Sequence, residues 1–106
     1  MDMADTFRDE GYEVFESADG TDAMNLFAGR HSEIDVLVTD IRLGNGPDGW
    51  DLARFVRERR DDLPIVFVSG DSVDDWEPQG ILASIMLAKP VPCKDLIEAV
   101  RASLSN

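Results

Sequence analysis

Three short aliphatic runs, each closing on a polar residue, constrain the fold of this chain more than any other feature. Ile34-Asp35-Val36-Leu37-Val38-Thr39 leads to Asp40, Pro64-Ile65-Val66-Phe67-Val68 leads to Ser69-Gly70, and the run from Ser84 to Ala88 leads to Lys89-Pro90. Runs of this length and composition predict strands. In the first, apolar side chains fall on both faces, as in a strand covered by helices on both sides.

Helical patterns separate the runs. Met3 to Glu10 has Met3 and Phe7 on one face, and Gly11 is placed to stop it, since glycine takes the left-handed C′ conformation without penalty. Tyr12 to Ser17 alternates and predicts a further strand. Asp19-Gly20-Thr21 is a turn with capping side chains, followed by a helix from Asp22 to Ala28 with Met24 and Phe27 inward and Gly29 as its end. A loop rich in turn residues, Gly44 to Gly49, precedes an amphipathic helix from Trp50 to Arg60 with Leu52, Phe55 and Val56 inward. Asp71 to Gly80 is the least regular stretch, because Pro78 disfavours a long helix there. The last helix starts near Pro92 and repeats Leu96, Val100 and Leu104 every four residues.

This βα alternation predicts an α/β fold, a doubly wound and mainly parallel sheet with right-handed crossovers. A length of 106 residues fits one domain. A formal charge of −12 argues against a broad DNA-binding or lipid-binding face, so direct nucleic-acid and membrane partners are not expected. The single cysteine, Cys93, cannot form an intramolecular disulfide, and no apolar run is long enough to span a bilayer. The N-terminus is acidic and lacks the parts of a signal peptide, so a cytoplasmic location is expected. With one Cys and one His (His31, in a polar turn) a zinc site of ordinary composition is excluded.

Ligands of open α/β sheets bind at the carboxyl ends of the strands. Asp40, Ser69 and Lys89 each stand at such an end, and parallel strands would bring them to one edge. A carboxylate can attack phosphorus, an ammonium can neutralise phosphoryl oxygens, and a hydroxyl can donate one hydrogen bond. Any one of the three alone says little. Their order, each after an apolar strand, points to a covalent aspartyl phosphate.

The run Val38-Thr39-Asp40-Ile41-Arg42-Leu43, then Asp48-Gly49, then Ile65 to Gly70, then Leu87-Ala88-Lys89-Pro90 resembles the response-regulator receiver (CheY-like) family. The resemblance covers essentially the whole chain. It implies a flavodoxin-like sheet and a role in two-component phosphorelay signalling. By it, Asp40 would accept a phosphoryl group from a histidine kinase or phosphotransfer protein, Ser69 would report the phosphorylated state, and Lys89 would pair with the phosphate. Mg²⁺ would be held by Asp40 and the backbone carbonyl of Arg42. A downstream protein target would bind near the last helix and residues 71–80, where Trp76 and Lys94 stand.

The chain departs from that pattern in its first residues. The family opens with an apolar strand ending in acidic Mg²⁺ ligands, whereas Met1 already lies in the helix expected to follow it. The domain, residues 1–106, is therefore expected to be an N-terminally truncated receiver with weak or absent Mg²⁺ binding. The two strands flanking the gap would close on each other or pair with a second copy, and a homodimer is the favoured repair. Leu43-Gly44 replaces the family's Met-Pro, and Met86 stands where an aromatic often precedes the lysine. The alternative reading is a phosphorylation-independent interaction module. An aspartyl-phosphate phosphatase is disfavoured, because Arg42 occupies the place of that class's second aspartate.

Overall fold

The computed structural model describes residues 3–41, 46–70 and 84–104. Its elements run α1 (Met3–Asp9), α2 (Gly20–Arg30), a 3-10 turn (His31–Glu33), β1 (Leu37–Asp40), α3 (Gly49–Arg59), β2 (Ile65–Ser69), β3 (Ser84–Ala88) and α4 (Cys93–Leu104).

The three strands form a parallel sheet in the order β1-β2-β3. Side chains along β2 alternate between two cores. Ile65 and Phe67 face α2 and α3, where Phe27, Trp50, Leu52 and Val56 are buried. Val66 and Val68 face α1 and α4, against Phe7, Leu96, Ile97 and Val100. Both faces of the central strand are thus dry, which is why its sequence is a continuous aliphatic run. The Trp50 and Phe67 rings lie 4.6 Å apart and tie α3 to the sheet.

The end of α1 follows the expected chemistry. Gly11 has φ +93°, its N–H bonds to the Arg8 carbonyl at 3.0 Å, and the Tyr12 N–H bonds to the Phe7 carbonyl at 3.1 Å. This is the Schellman pattern, which satisfies carbonyls that the helix end leaves open.

Gly29 does not end α2. The helix passes through it to Arg30 and tightens into the 3-10 turn. The open carbonyls beyond it are met from outside, by Arg60, whose Nη1 donates to the His31 carbonyl at 2.8 Å and to the Ile34 carbonyl at 3.3 Å. Gly29 is then an ordinary interior helical position, and a Cβ there would meet nothing within 4 Å. Gly29→Ala is expected to stabilise the protein by about 0.5–1 kcal/mol, read as a raised melting temperature.

The strand expected from Tyr12 to Ser17 is not formed: residues 12–17 carry no ladder among the described residues. A strand is defined by a neighbour, and none lies alongside. Other contacts hold the segment. Arg8 Nη2 donates to the Val14 carbonyl and to Glu16, both at 3.3 Å. Tyr12 packs edge-on against Phe7, and the Arg30 guanidinium lies 4.9 Å from the Phe15 ring centre. The first sheet strand is also shorter than expected, Leu37–Asp40 rather than Ile34 to Thr39, because pairing begins only where the Leu37 N–H meets the Pro64 carbonyl at 3.0 Å. Between residues 12–19 and β1 a groove of about 360 Å³ stays open, so the two expected strands have not closed on each other.

Candidate functional site

The parallel register sets the site. Asp40 is level with Val68, and Ser69 is level with Ala88, so the positions of Asp40, Ser69 and Lys89 step across the carboxyl end of the sheet. Lys89 follows directly on β3, and its peptide bond to Pro90 is cis. Its Nζ reaches past the end of β2 to lie 2.6 Å from Asp40 Oδ1. The convergence of these strand ends is therefore a property of the fold.

Asp40 is held by its backbone. Thr39 is buried, and its Oγ1 donates to the Asp40 carbonyl at 2.9 Å. The buried Ile41 donates its N–H to the Val68 carbonyl at 3.2 Å and accepts the Gly49 N–H at 2.7 Å. The loop that leaves β1 thus returns to its own base. Asp48 caps α3 there in a reciprocal box: the Asp51 N–H bonds to Asp48 Oδ1 at 2.9 Å, and the Asp48 N–H bonds to Asp51 Oδ2 at 3.1 Å. Gly49 sits so close to β1 that any Cβ would collide with the Asp40 carbonyl oxygen. Gly20 stands in the same relation to the Pro47 carbonyl, so the N-terminus of α2 packs on the returning loop.

The Asp40–Lys89 pair is wet. The side chains keep 39% and 50% of their exposure, so the contact contributes at most about 1 kcal/mol to stability. Both groups remain open to an incoming molecule. Of the other expected site residues, the backbone carbonyl of Arg42 lies outside the described residues. Met86 packs beside the Trp50–Phe67 core. His31 and Cys93 are both exposed. Among the described residues no group of three or more His, Cys, Asp or Glu is placed to hold a metal ion. Gly49 and the Asp48–Asp51 box are the parts of the site that the strand pattern did not reveal. The spacing of the two aspartates was a readable signal for the box.

The family model described as response regulator receiver domain matches residues 1–101. The transcriptional regulatory protein PdtaR of Mycobacterium tuberculosis is 34% identical over 109 aligned positions, covering 100% of this chain and 51% of that protein. The chain therefore spans about half the length of the curated relatives it matches. A response regulator receiver protein from Sinorhizobium medicae superposes with a TM-score of 0.91 at 37% identity, covering 97% of this chain and 82% of that one. A CheY-like receiver domain protein from Methanospirillum hungatei gives a TM-score of 0.77 at 25% identity, covering 97% and 82%. With its parallel sheet, its strand-end aspartate and its cross-sheet lysine, the chain belongs to the response regulator receiver domain family of two-component signalling.

Proposed function

We propose that residues 1–106 act as one receiver domain in which Asp40 accepts a phosphoryl group from a histidine kinase or phosphotransfer protein. The contact of Lys89 Nζ with Asp40 Oδ1 at 2.6 Å carries this reading, because it sets a cation beside the attacking oxygen. The Asp40 carboxylate forms the new O–P bond as the P–N bond to a phosphohistidine breaks, and the freed imidazole takes a proton from solvent. Lys89 then moves from carboxylate to phosphoryl oxygens at no loss of charge pairing. Ser69, one step along the edge, is the proposed reporter of the phosphorylated state.

Receiver domains in general bind Mg²⁺ in an acidic pocket. The described donors do not fit that ion. It wants near-octahedral oxygen ligation, and among the described residues the strand end offers one carboxylate, whose Oδ1 is already paired with Lys89. Labelling of the isolated chain is therefore expected to be slow and nearly unchanged by EDTA. A steep Mg²⁺ dependence would show that donors outside the described residues complete the site. The direct test is incubation of the 106-residue chain with acetyl phosphate, followed by intact mass and mapping of the modified residue. A folded chain that gains no phosphoryl group with or without Mg²⁺ would instead favour a phosphorylation-independent interaction module.

Receiver domains are generally non-enzymatic modules that work with kinases or phosphotransfer proteins and effector domains. The output surface proposed here is the outer face of α4, with Lys94 and Glu98 exposed. The accompanying segment with Trp76 lies outside the described residues. The name of the M. tuberculosis relatives supports a regulatory output. Lys94→Glu is expected to weaken binding of the downstream target by about tenfold with an unchanged melting curve. Binding that maps wholly to α2 would overturn this placement. Among the described residues no helix is long and apolar enough to cross a membrane, and a cytoplasmic location remains the proposal.

A further inference from the structure

We propose that Thr39 is a positioning residue for phosphoryl transfer: its hydroxyl fixes the peptide after Asp40, and so the direction in which the carboxylate leaves the strand. The inference rests on Asp40 as the acceptor and adds the residue that aims it.

Thr39 stands out by its surroundings. Among the described residues it is the one polar or charged residue that is buried. Side chains of β1 alternate, with Val38 toward the core of α1 and α4 and Leu37 toward the core of α2 and α3. Thr39 falls on the face of Leu37, where its neighbours along the strand are apolar. Valine has nearly the same outline and no polar atom. A buried hydroxyl is costly unless it is bonded. The bond that Thr39 makes goes to the carbonyl of Asp40, at 2.9 Å.

That carbonyl needs a donor. Leu37 and Ile41 turn their N–H groups to β2, at 3.0 and 3.2 Å, so strand alternation turns the Asp40 carbonyl away from β2. Gly49 packs directly over it but sends its own N–H elsewhere, to the Ile41 carbonyl at 2.7 Å. The Asp40–Ile41 peptide is therefore held at both poles. Its N–H is fixed by the Val68 carbonyl and its C=O by the Thr39 hydroxyl. Neither bond uses the carboxylate, so both stand before a phosphoryl donor arrives.

The consequence falls on the Asp40 side chain. Lys89 Nζ meets its Oδ1 in a half-exposed pair, and a pair of that kind constrains geometry weakly. The backbone beneath the carboxylate is the firmer constraint, and Thr39 holds one end of it. Loss of the hydroxyl frees the peptide to turn and moves the carboxylate off its line of attack. A misplacement of about 1 Å can cost a reaction about 100-fold.

The test compares Thr39→Val with Thr39→Ser in the 106-residue chain. Valine removes the hydroxyl and keeps the apolar packing. Serine keeps the hydroxyl and gives up a buried methyl, so it should melt below the parent. Labelling by acetyl phosphate, read on folded protein at low temperature, should not follow the melting order. It is expected to slow by about three- to tenfold in Thr39→Val, and Thr39→Ser should recover most of the parent rate. Three-bond couplings across the Asp40 Cα–Cβ bond give a readout that needs no phosphoryl donor. One rotamer is expected in the parent and in Thr39→Ser, and averaging in Thr39→Val. In the parent itself the Thr39 hydroxyl proton should exchange slowly, and fast exchange would overturn the proposal without any variant. So would Thr39→Val labelling at the parent rate, or Thr39→Ser labelling as slowly as Thr39→Val. A parent that takes no label sinks the acceptor reading alone. The couplings then decide whether Thr39 orients Asp40, and unchanged values in Thr39→Val would overturn that as well.

Discussion

Replacement of Asp40 by Asn is expected to abolish phosphoryl labelling while the protein stays folded. The substitution keeps the shape of the side chain and removes its charge, so the nucleophilic oxygen is gone. Its cost to the fold is small. Among the described residues the interaction lost is the half-exposed pair with Lys89, which contributes at most about 1 kcal/mol. In a domain of this size that is a shift of about 4–8 °C at most in melting temperature. The backbone contacts that hold the strand end, from Thr39 Oγ1 and from Ile41 to Val68 and Gly49, do not involve the carboxylate. Intact mass after acetyl phosphate, read beside a thermal melt, separates chemistry from folding. An Asp40→Asn chain that still gains a phosphoryl group would show that another residue is the acceptor.

Where composition alone decides an element, the sequence was legible. Ser84 to Ala88 is observed with both expected ends, and Gly11 ends α1 through the φ it alone adopts easily. The convergence of Asp40 and Lys89 was legible for the same reason: parallel strands that end in polar residues must present them at one edge. What failed depends on partners distant in sequence. Residues 12–17 have the alternation of a strand but no neighbour to pair with. Gly29 has the composition of a stop, yet Arg60 from the end of α3 meets the carbonyls beyond it and the helix runs on. The start of β1 waits for Pro64, which lies across the sheet. The close approach of Gly49 to the Asp40 carbonyl is likewise invisible in local pattern, although Asp48-Gly49 was part of the family resemblance.

That approach sets two effects of opposite sign against each other at one residue. Gly49 is the first residue of α3, and alanine there would gain up to about 1 kcal/mol of helix propensity. The added Cβ would also strike the Asp40 carbonyl oxygen, with Ile41 Cα at 2.9 Å and Asp40 C at 3.1 Å. These are backbone atoms of a strand end tied to Val68 of β2 and to Gly49 itself, so no flexible side chain can swing away. Overpacking of this kind costs about 1–3 kcal/mol, and the collision should win. Gly49→Ala is therefore expected to lower stability by about 1–2 kcal/mol, a large share of the roughly 5–15 kcal/mol available to a small domain. The relief available to the chain is to push the end of β1 away from α3, which moves Asp40 relative to Lys89. Labelling by acetyl phosphate should slow as well, in the fraction that remains folded at low temperature. Gly29→Ala, with open space around its Cβ, is the matched control and should move stability the other way. If both alanine variants melt higher than the parent and label at its rate, Gly49 does not position Asp40.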